Sequence, residues 1–90
     1  MFKIDKKELK DLFKKAYNEL DIKIHNLTVK HYKKYDLFDV YALVGKHIIK
    51  NCKYTLSFDT VKQRYQITSI EGVTSLYDIN YINEVLNNEK

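Results

Sequence analysis

The chain carries one cysteine, Cys52, and three histidines, His25, His31 and His47, the residue types that can form a thiolate nucleophile with an imidazole base. Such a nucleophile must be an activated thiolate that a substrate can reach. Cys52 falls in step with Tyr54, Leu56 and Phe58 in the alternating stretch KNCKYTLSFDT, so it reads as a small buried hydrophobe. The same histidines with Asp36 or Asp39 supply metal-ligand types, but His-x-His, Cys-x-x-Cys and His-Glu-x-x-His spacings are all missing. As a general acid–base pair, Asp36 and Asp39 would fall on opposite faces of a strand. VGKH, residues 44–47, has one glycine and one lysine after a strand, which describes an ordinary turn; a phosphate cradle needs clustered glycines. The expectation is a protein without catalysis, metal or cofactor.

What remains is non-covalent chemistry. VKHYKKYDLF, residues 29–38, sets three lysines, a histidine and two tyrosines ahead of an apolar run. If Leu27, Val29 and His31 face inward, Lys30, Tyr32 and Lys34 face outward on one strand. An aromatic ring between two lysines is an arrangement with which a sheet stacks a base and neutralises the flanking phosphates. Outward Lys53 and the neighbouring Arg64 extend that surface. On the first helix Lys6, Lys10 and Lys14 form a like-charged i,i+4 row, mildly unfavourable unless something acidic covers it.

A plainer account exists for each feature. Lysines on an exposed sheet face or edge keep it from pairing with other chains, and tyrosine suits a half-buried strand for packing reasons alone. The helix row is also a solvated back, partly offset by Asp11 and Glu19. Of the 16 basic residues only Arg64 is arginine, although recognition of phosphates and base edges favours the planar guanidinium fork. Lysine, isoleucine, asparagine and tyrosine are also what AT-rich codons supply. Tyrosine, in turn, favours protein interfaces, where it offers area with little entropy lost. These weights favour a small protein-binding module, an accessory or inhibitor protein of bacterial or phage kind, acting through a basic, tyrosine-containing surface. Nucleic-acid binding by the same Lys/Tyr face is the alternative. An acidic protein is the expected partner, a homodimer is open, and a membrane is not expected.

Ninety residues without an obvious break fit one domain, 1–90. A chain of this length hides roughly 60–65% of its unfolded surface, enough for one modest core. At 44% hydrophobic and 31% charged it is too apolar for disorder. The longest apolar run, Val40 to Val44, is far short of a membrane span, and MFKIDKKELK has no apolar stretch after its first lysine, so neither a span nor a secretory signal is expected. One cysteine cannot close an internal disulfide, and a cytoplasmic location follows as the expectation. The net charge of +4 is uneven: residues 1–70 are basic, while 71–90 hold Glu71, Asp78, Glu84 and Glu89 against Lys90.

The elements that must position these residues begin with a helix over about Lys6–Glu19. Leu9, Leu12, Phe13, Ala16, Tyr17 and Leu20 recur at helical spacing, and Asp5 with Glu8 makes a capping box, flanked by Ile4 and Leu9 as a hydrophobic staple. From Asp21 the period becomes two. Ile22 and Ile24 share one parity and Leu27, Val29 and His31 the other, which predicts a bulge near His25–Asn26. Phe38, Val40, Ala42 and Val44 form the next inward set, with Leu37, Tyr41 and Leu43 opposite, so this strand is apolar on both sides and needs a cover, either a second copy or the C-terminal helix. RYQITSI is a fourth strand, and turns fall near Lys34–Asp36, Gly45–His47 and Asp59–Lys62. Ser75 with Asp78 opens a short second helix on Leu76, Ile79, Ile82, Val85 and Leu86, before a frayed NNEK tail.

The predicted architecture is α+β: an N-terminal helix packed on a four-stranded antiparallel meander, with a C-terminal helix, in two layers. Its element order resembles that of cystatin-like folds, a likeness of order with no motif behind it that implies the packing and no activity. The order is also similar to that of double-stranded-RNA-binding domains, yet the second helix opens SLYDIN where that family carries a lysine cluster. Size, basicity and a sheet ending in RYQITSI resemble small bacterial toxin ribonucleases, but the arginine-rich open face is lacking and no residue carries across.

Overall fold

The structure, a computed structural model, describes residues 5–72 and 74–88. The first helix, α1 (Lys6–Glu19), starts where the chain offers its own cap. Asp5 Oδ1 accepts the Glu8 backbone N–H at 2.8 Å and Glu8 Oε1 accepts that of Asp5 at 3.2 Å, a closed capping box. Ile4, the other half of the expected staple, lies outside the described residues. Leu9, Phe13, Ala16 and Tyr17 make the buried stripe.

Four strands follow, β1 (Ile24–Tyr32), β2 (Leu37–Val44), β3 (Lys50–Asp59) and β4 (Arg64–Glu71), paired antiparallel in the order β1-β2-β3-β4. The register shifts between Ile24 and Asn26, where the change of parity predicts a bulge. Leu27, Val29 and His31 stand opposite Ala42, Val40 and Phe38, which stand opposite Cys52, Tyr54 and Leu56. These rows form the inner face. The last strand alternates less cleanly because the register also shifts between Thr55 and Leu56, so that Ile70 and Ile67 face Tyr54 and Leu56.

The second helix, α2 (Leu76–Asn88), begins at Ser75, whose hydroxyl accepts the Asp78 N–H at 3.1 Å. It is the short C-terminal helix expected, thirteen residues long. Ile82 and Leu86 are buried with Ile79 and Val85 beside them, but Leu76 is 72% exposed. Leu76 occupies the first helical position, before α2 has run onto the core. Asn87, expected in a frayed tail, lies inside α2 and bonds β4; Glu89 and Lys90 fall outside the described residues. One core joins both helices to the inner sheet face, through Leu9, Phe13 and Tyr17, Ile82 and Leu86, and Val40, Tyr54 and Leu56. The result is a two-layer α+β fold with both helices on one side.

The turns carry few glycines because other residues take the left-handed positions. Asp36 (φ 52) closes the β1–β2 turn and Gln63 (φ 56) the β3–β4 turn, where Asp59 Oδ1 accepts the N–H groups of Val61 and Lys62. Gly45 (φ 130) is different: a Cβ there would run into the Ile48 carbonyl, so only glycine fits the β2–β3 turn.

Candidate functional site

With both helices packed on the inner face, the outer face of the sheet has no layer over it among the described residues. Its centre is β2, which turns Leu37, Asp39, Tyr41 and Leu43 outward. Across them lie Tyr32, Lys30, Thr28 and Asn26 of β1, and Ser57, Thr55, Lys53 and Asn51 of β3. On β4 the outward positions are Gln66, Ser69 and Glu71. The C-terminal helix therefore does not cover the second apolar side of β2. Leu37, Tyr41 and Leu43 are half-buried by their neighbours alone.

Tyr41 is the hub of this face. The Lys30 ammonium lies 5.3 Å from its ring centroid and the Lys53 ammonium 5.7 Å, both within cation–π range. The register explains the convergence, since Tyr41 stands directly opposite Lys53 on one side and opposite Thr28 on the other, with Lys30 its diagonal neighbour two residues along. Beside it Asp39 is only 8% exposed on what is nominally the open side. The Thr55 hydroxyl donates to Asp39 Oδ1 at 2.8 Å, and Lys53 Nζ is 3.9 Å from Asp39 Oδ2 and 3.7 Å from Glu71 Oε2. The neighbouring Tyr41 phenol and the Asp39 and Glu71 carboxylates hold the Lys53 ammonium above the ordinary lysine range. Partial burial, together with Tyr41 and Asp39, pushes the Tyr32 phenol up in the same way.

Of the residues singled out from sequence, Lys30, Tyr32 and Lys53 do share this face. Tyr32 is 43% exposed at its rim. Lys34 sits in the β1–β2 turn over the ring of exposed Tyr35, at 5.4 Å. Arg64, at the start of β4, borders a groove of about 550 Å³ between α1 and the β3–β4 turn, lined also by Asp11, Phe58 and Leu86. Lys6 and Lys14 are exposed and Lys10 half-buried on α1, in the other layer, so they belong to a separate surface. Lys53 is less the unengaged cation that alternation suggests than one arm of a Lys53–Asp39–Glu71 cluster. Asp39, Tyr41, Thr55 and Glu71 are the members that sequence reasoning does not assign to this site. Their one signal was a carboxylate in the middle of the otherwise apolar LFDVYALV.

Of the catalytic types, His25 and His31 are engaged away from Cys52. His31 stacks on Phe38 (4.2 Å between centroids, planes 9° apart) and meets Asp36 Oδ1 at 3.2 Å; His25 Nε2 lies 2.7 Å from the Gly45 carbonyl oxygen. His47 and Cys52 border one cavity of about 390 Å³ beneath the β2–β3 turn, but burial pushes the Cys52 thiol up, away from the thiolate a nucleophile requires. In the same cavity wall Tyr17 and Tyr54 join hydroxyls at 2.9 Å, both buried. Among the described residues no three His, Cys, Asp or Glu side chains gather where they could hold a metal ion, and no helix is long and apolar enough to cross a membrane.

Fold and face together define a class: a small two-layer α+β domain with an uncovered, tyrosine-centred sheet surface. In comparison with known proteins, no family model matches the chain, and no curated protein or solved structure matches it either.

Proposed function

We propose that this chain is a small, non-catalytic protein-binding module that meets its partner with the uncovered sheet face around Tyr41, Tyr32, Leu37, Lys30 and Lys53. The observation that carries the reading is that a face centred on tyrosine, with Leu37 and Leu43 beside it, has no helix over it among the described residues. Tyrosine and leucine offer desolvated contact area at small entropic loss, and the lysines at the rim select a partner with acidic groups. An accessory or inhibitor role in a bacterium or phage suits the small size and the codon-biased composition.

Nucleic acid is the second reading, favoured by the lysines of β1 and its turn, Lys30, Lys33 and Lys34. Against it stand Asp39 and Glu71 on the same face, because a strand of phosphates laid across the sheet would meet both carboxylates, and Lys53 is already engaged by them.

The test has two arms. Labelled single- and double-stranded DNA and RNA are titrated by fluorescence anisotropy, and partner proteins are captured from nuclease-treated extract by wild type and by a Tyr32→Ala/Lys34→Ala variant. The protein-binding reading expects nucleic-acid binding to vanish near physiological salt, about 150 mM. It also expects a specific protein retained by wild type and lost, or weakened about tenfold or more, in the variant, whose stability changes by less than about 0.5 kcal/mol. Nucleic-acid binding that persists at that salt, with a log–log slope of several phosphates, would replace it with the second reading.

A further inference from the structure

The two edges of the sheet are finished differently. At β4 the chain itself engages the edge at Tyr65. The Asn87 side chain accepts the Tyr65 backbone N–H through Oδ1 at 2.6 Å and donates through Nδ2 to the Tyr65 carbonyl at 2.9 Å, as a neighbouring strand would. The β4 register is also interrupted between Thr55 and Leu56. An edge interrupted in register and engaged at Tyr65 is a poorer template for another strand.

At β1 the break in register falls at the start of the strand, between Ile24 and Asn26. The strand pairs with β2 alone, its register runs unbroken from Asn26 to Tyr32, and among the described residues no side chain bonds its outer backbone. The charge along this edge is mainly positive, with Asp36 at its end meeting His31 and Asp39 opposite Lys30. From Ile22 to Tyr35 the chain carries Lys23, Lys30, Lys33 and Lys34 with His25 and His31, and no carboxylate. Among the described residues Lys30, Lys33 and Lys34 enter no salt bridge, whereas Lys53, inside the sheet, is held by Asp39 and Glu71.

We infer that the β1 edge takes an extended acidic segment of a partner protein as a fifth strand. Lysines on an edge are ordinarily a guard against pairing, and here they do guard against one occupant: a second copy presenting its own β1 would bring like charges face to face. The same charges turn the edge toward a strand with carboxylates. An added strand alternates its side chains as β1 does. On the outer face they meet Thr28, Lys30 and Tyr32, and on the inner face Leu27, half-buried Val29 and His31. The recognised segment therefore alternates acidic with aliphatic residues over about seven positions, the length of the unbroken register, with main-chain hydrogen bonds for affinity and the lysines for choice. This rests on the protein-binding reading and specifies how the partner enters the face that surrounds Tyr41.

The probe is an end-blocked, fluorescein-labelled peptide alternating valine and glutamate over seven residues, with a lysine-for-glutamate control. Two further versions are N-methylated at alternate positions in either phase, so that each has lost the donors of one edge. Anisotropy at physiological salt should show binding of the acidic peptide, and loss for the lysine peptide and for N-methylation in one or both phases. A Lys30→Glu variant should bind about tenfold more weakly, since a favourable cross-strand pair becomes a repulsive one. Bound peptide should slow amide exchange along residues 26–32 and leave β4 unchanged. Equal binding of both N-methylated peptides, with NMR shifts centred on Tyr41 and Lys53, would overturn the edge site and leave the sheet-face reading standing. No acidic-peptide binding at any concentration tested would overturn the edge site too, and the capture experiment would decide the face by itself.

Discussion

Asp39 holds a carboxylate at 8% exposure on a strand otherwise built of Leu, Phe, Val, Tyr and Ala. Burying an anion is tolerable only where it is paired and hydrogen-bonded, and Asp39 has both the Thr55 hydroxyl and the Lys53 ammonium. The cluster fixes Lys53 in place over Tyr41, and through it the shape of the face. Replacing Asp39 with alanine strands two polar groups at once: the part-buried Thr55 hydroxyl and a half-buried ammonium left with Glu71 alone. The expected loss is about 1–3 kcal/mol of unfolding free energy in urea denaturation. Asp39→Asn keeps an acceptor for Thr55 and should lose less. If alanine and asparagine were both neutral, the cluster would be incidental to the fold. The tyrosine hub is expected to follow: Lys53 released from Asp39 leaves the Tyr41 ring, and an NMR titration would register the change in the ring environment.

Between the elements, the least redundant contact is the amide of Asn87 on β4. Two hydrogen bonds at 2.6 and 2.9 Å tie the last turn of α2 to the backbone of Tyr65 and engage the edge at that residue. Asn87→Ala should cost about 1–3 kcal/mol, the usual penalty for partly buried donors left unmet. It should also raise self-association through β4, visible as concentration-dependent sedimentation. Stability loss without association would mean that the break in register already protects the edge. Elements of this fold were legible wherever one face is buried and the period is clean. The cap at Asp5 and Glu8, the stripe from Leu9 to Tyr17 and the parity change after Ile24 each have a local cause. The turns near Lys34–Asp36 and Asp59–Lys62 were legible too, although neither left-handed residue there, Asp36 or Gln63, is the glycine that usually marks such a position. The Tyr41 cluster was hidden. Alternation assigns a residue to a face but not to a neighbour, and only the register that pairs Asp39 with Thr55 and Tyr41 with Lys53 brings those groups together. Asn87 bonds a residue 22 positions away, beyond any local pattern.

Over the whole molecule, the two layers are joined by a polar pair inside an apolar core. Tyr17 of α1 and Tyr54 of β3 share a hydroxyl–hydroxyl bond at 2.9 Å, and burial, foremost, pushes both phenols above the ordinary value of 10. The folded protein thus binds these protons more tightly than the unfolded chain. The linkage has one sign: stability is fully present below the unfolded pKa near 10 and is lost as the pH rises through it, because only the unfolded chain then gains by ionising. Lys53, also raised, acts in the same sense above its ordinary 10.5, and Tyr81, raised by its hydrogen bond to Glu19, adds to it from the surface. Urea unfolding should therefore give a flat stability from neutral pH to about pH 10 and a steep fall beyond. Absorbance at the phenolate band should show Tyr17 and Tyr54 ionising only as the fold is lost. Tyr17→Phe removes the most strongly shifted of these groups and leaves Tyr54 with Thr74 and Cys52 as polar neighbours. Its stability at neutral pH should drop by about 1 kcal/mol, but its alkaline fall should be shallower. A variant that declines as steeply as wild type would place the alkaline weakness elsewhere than at the hydroxyl pair between the layers.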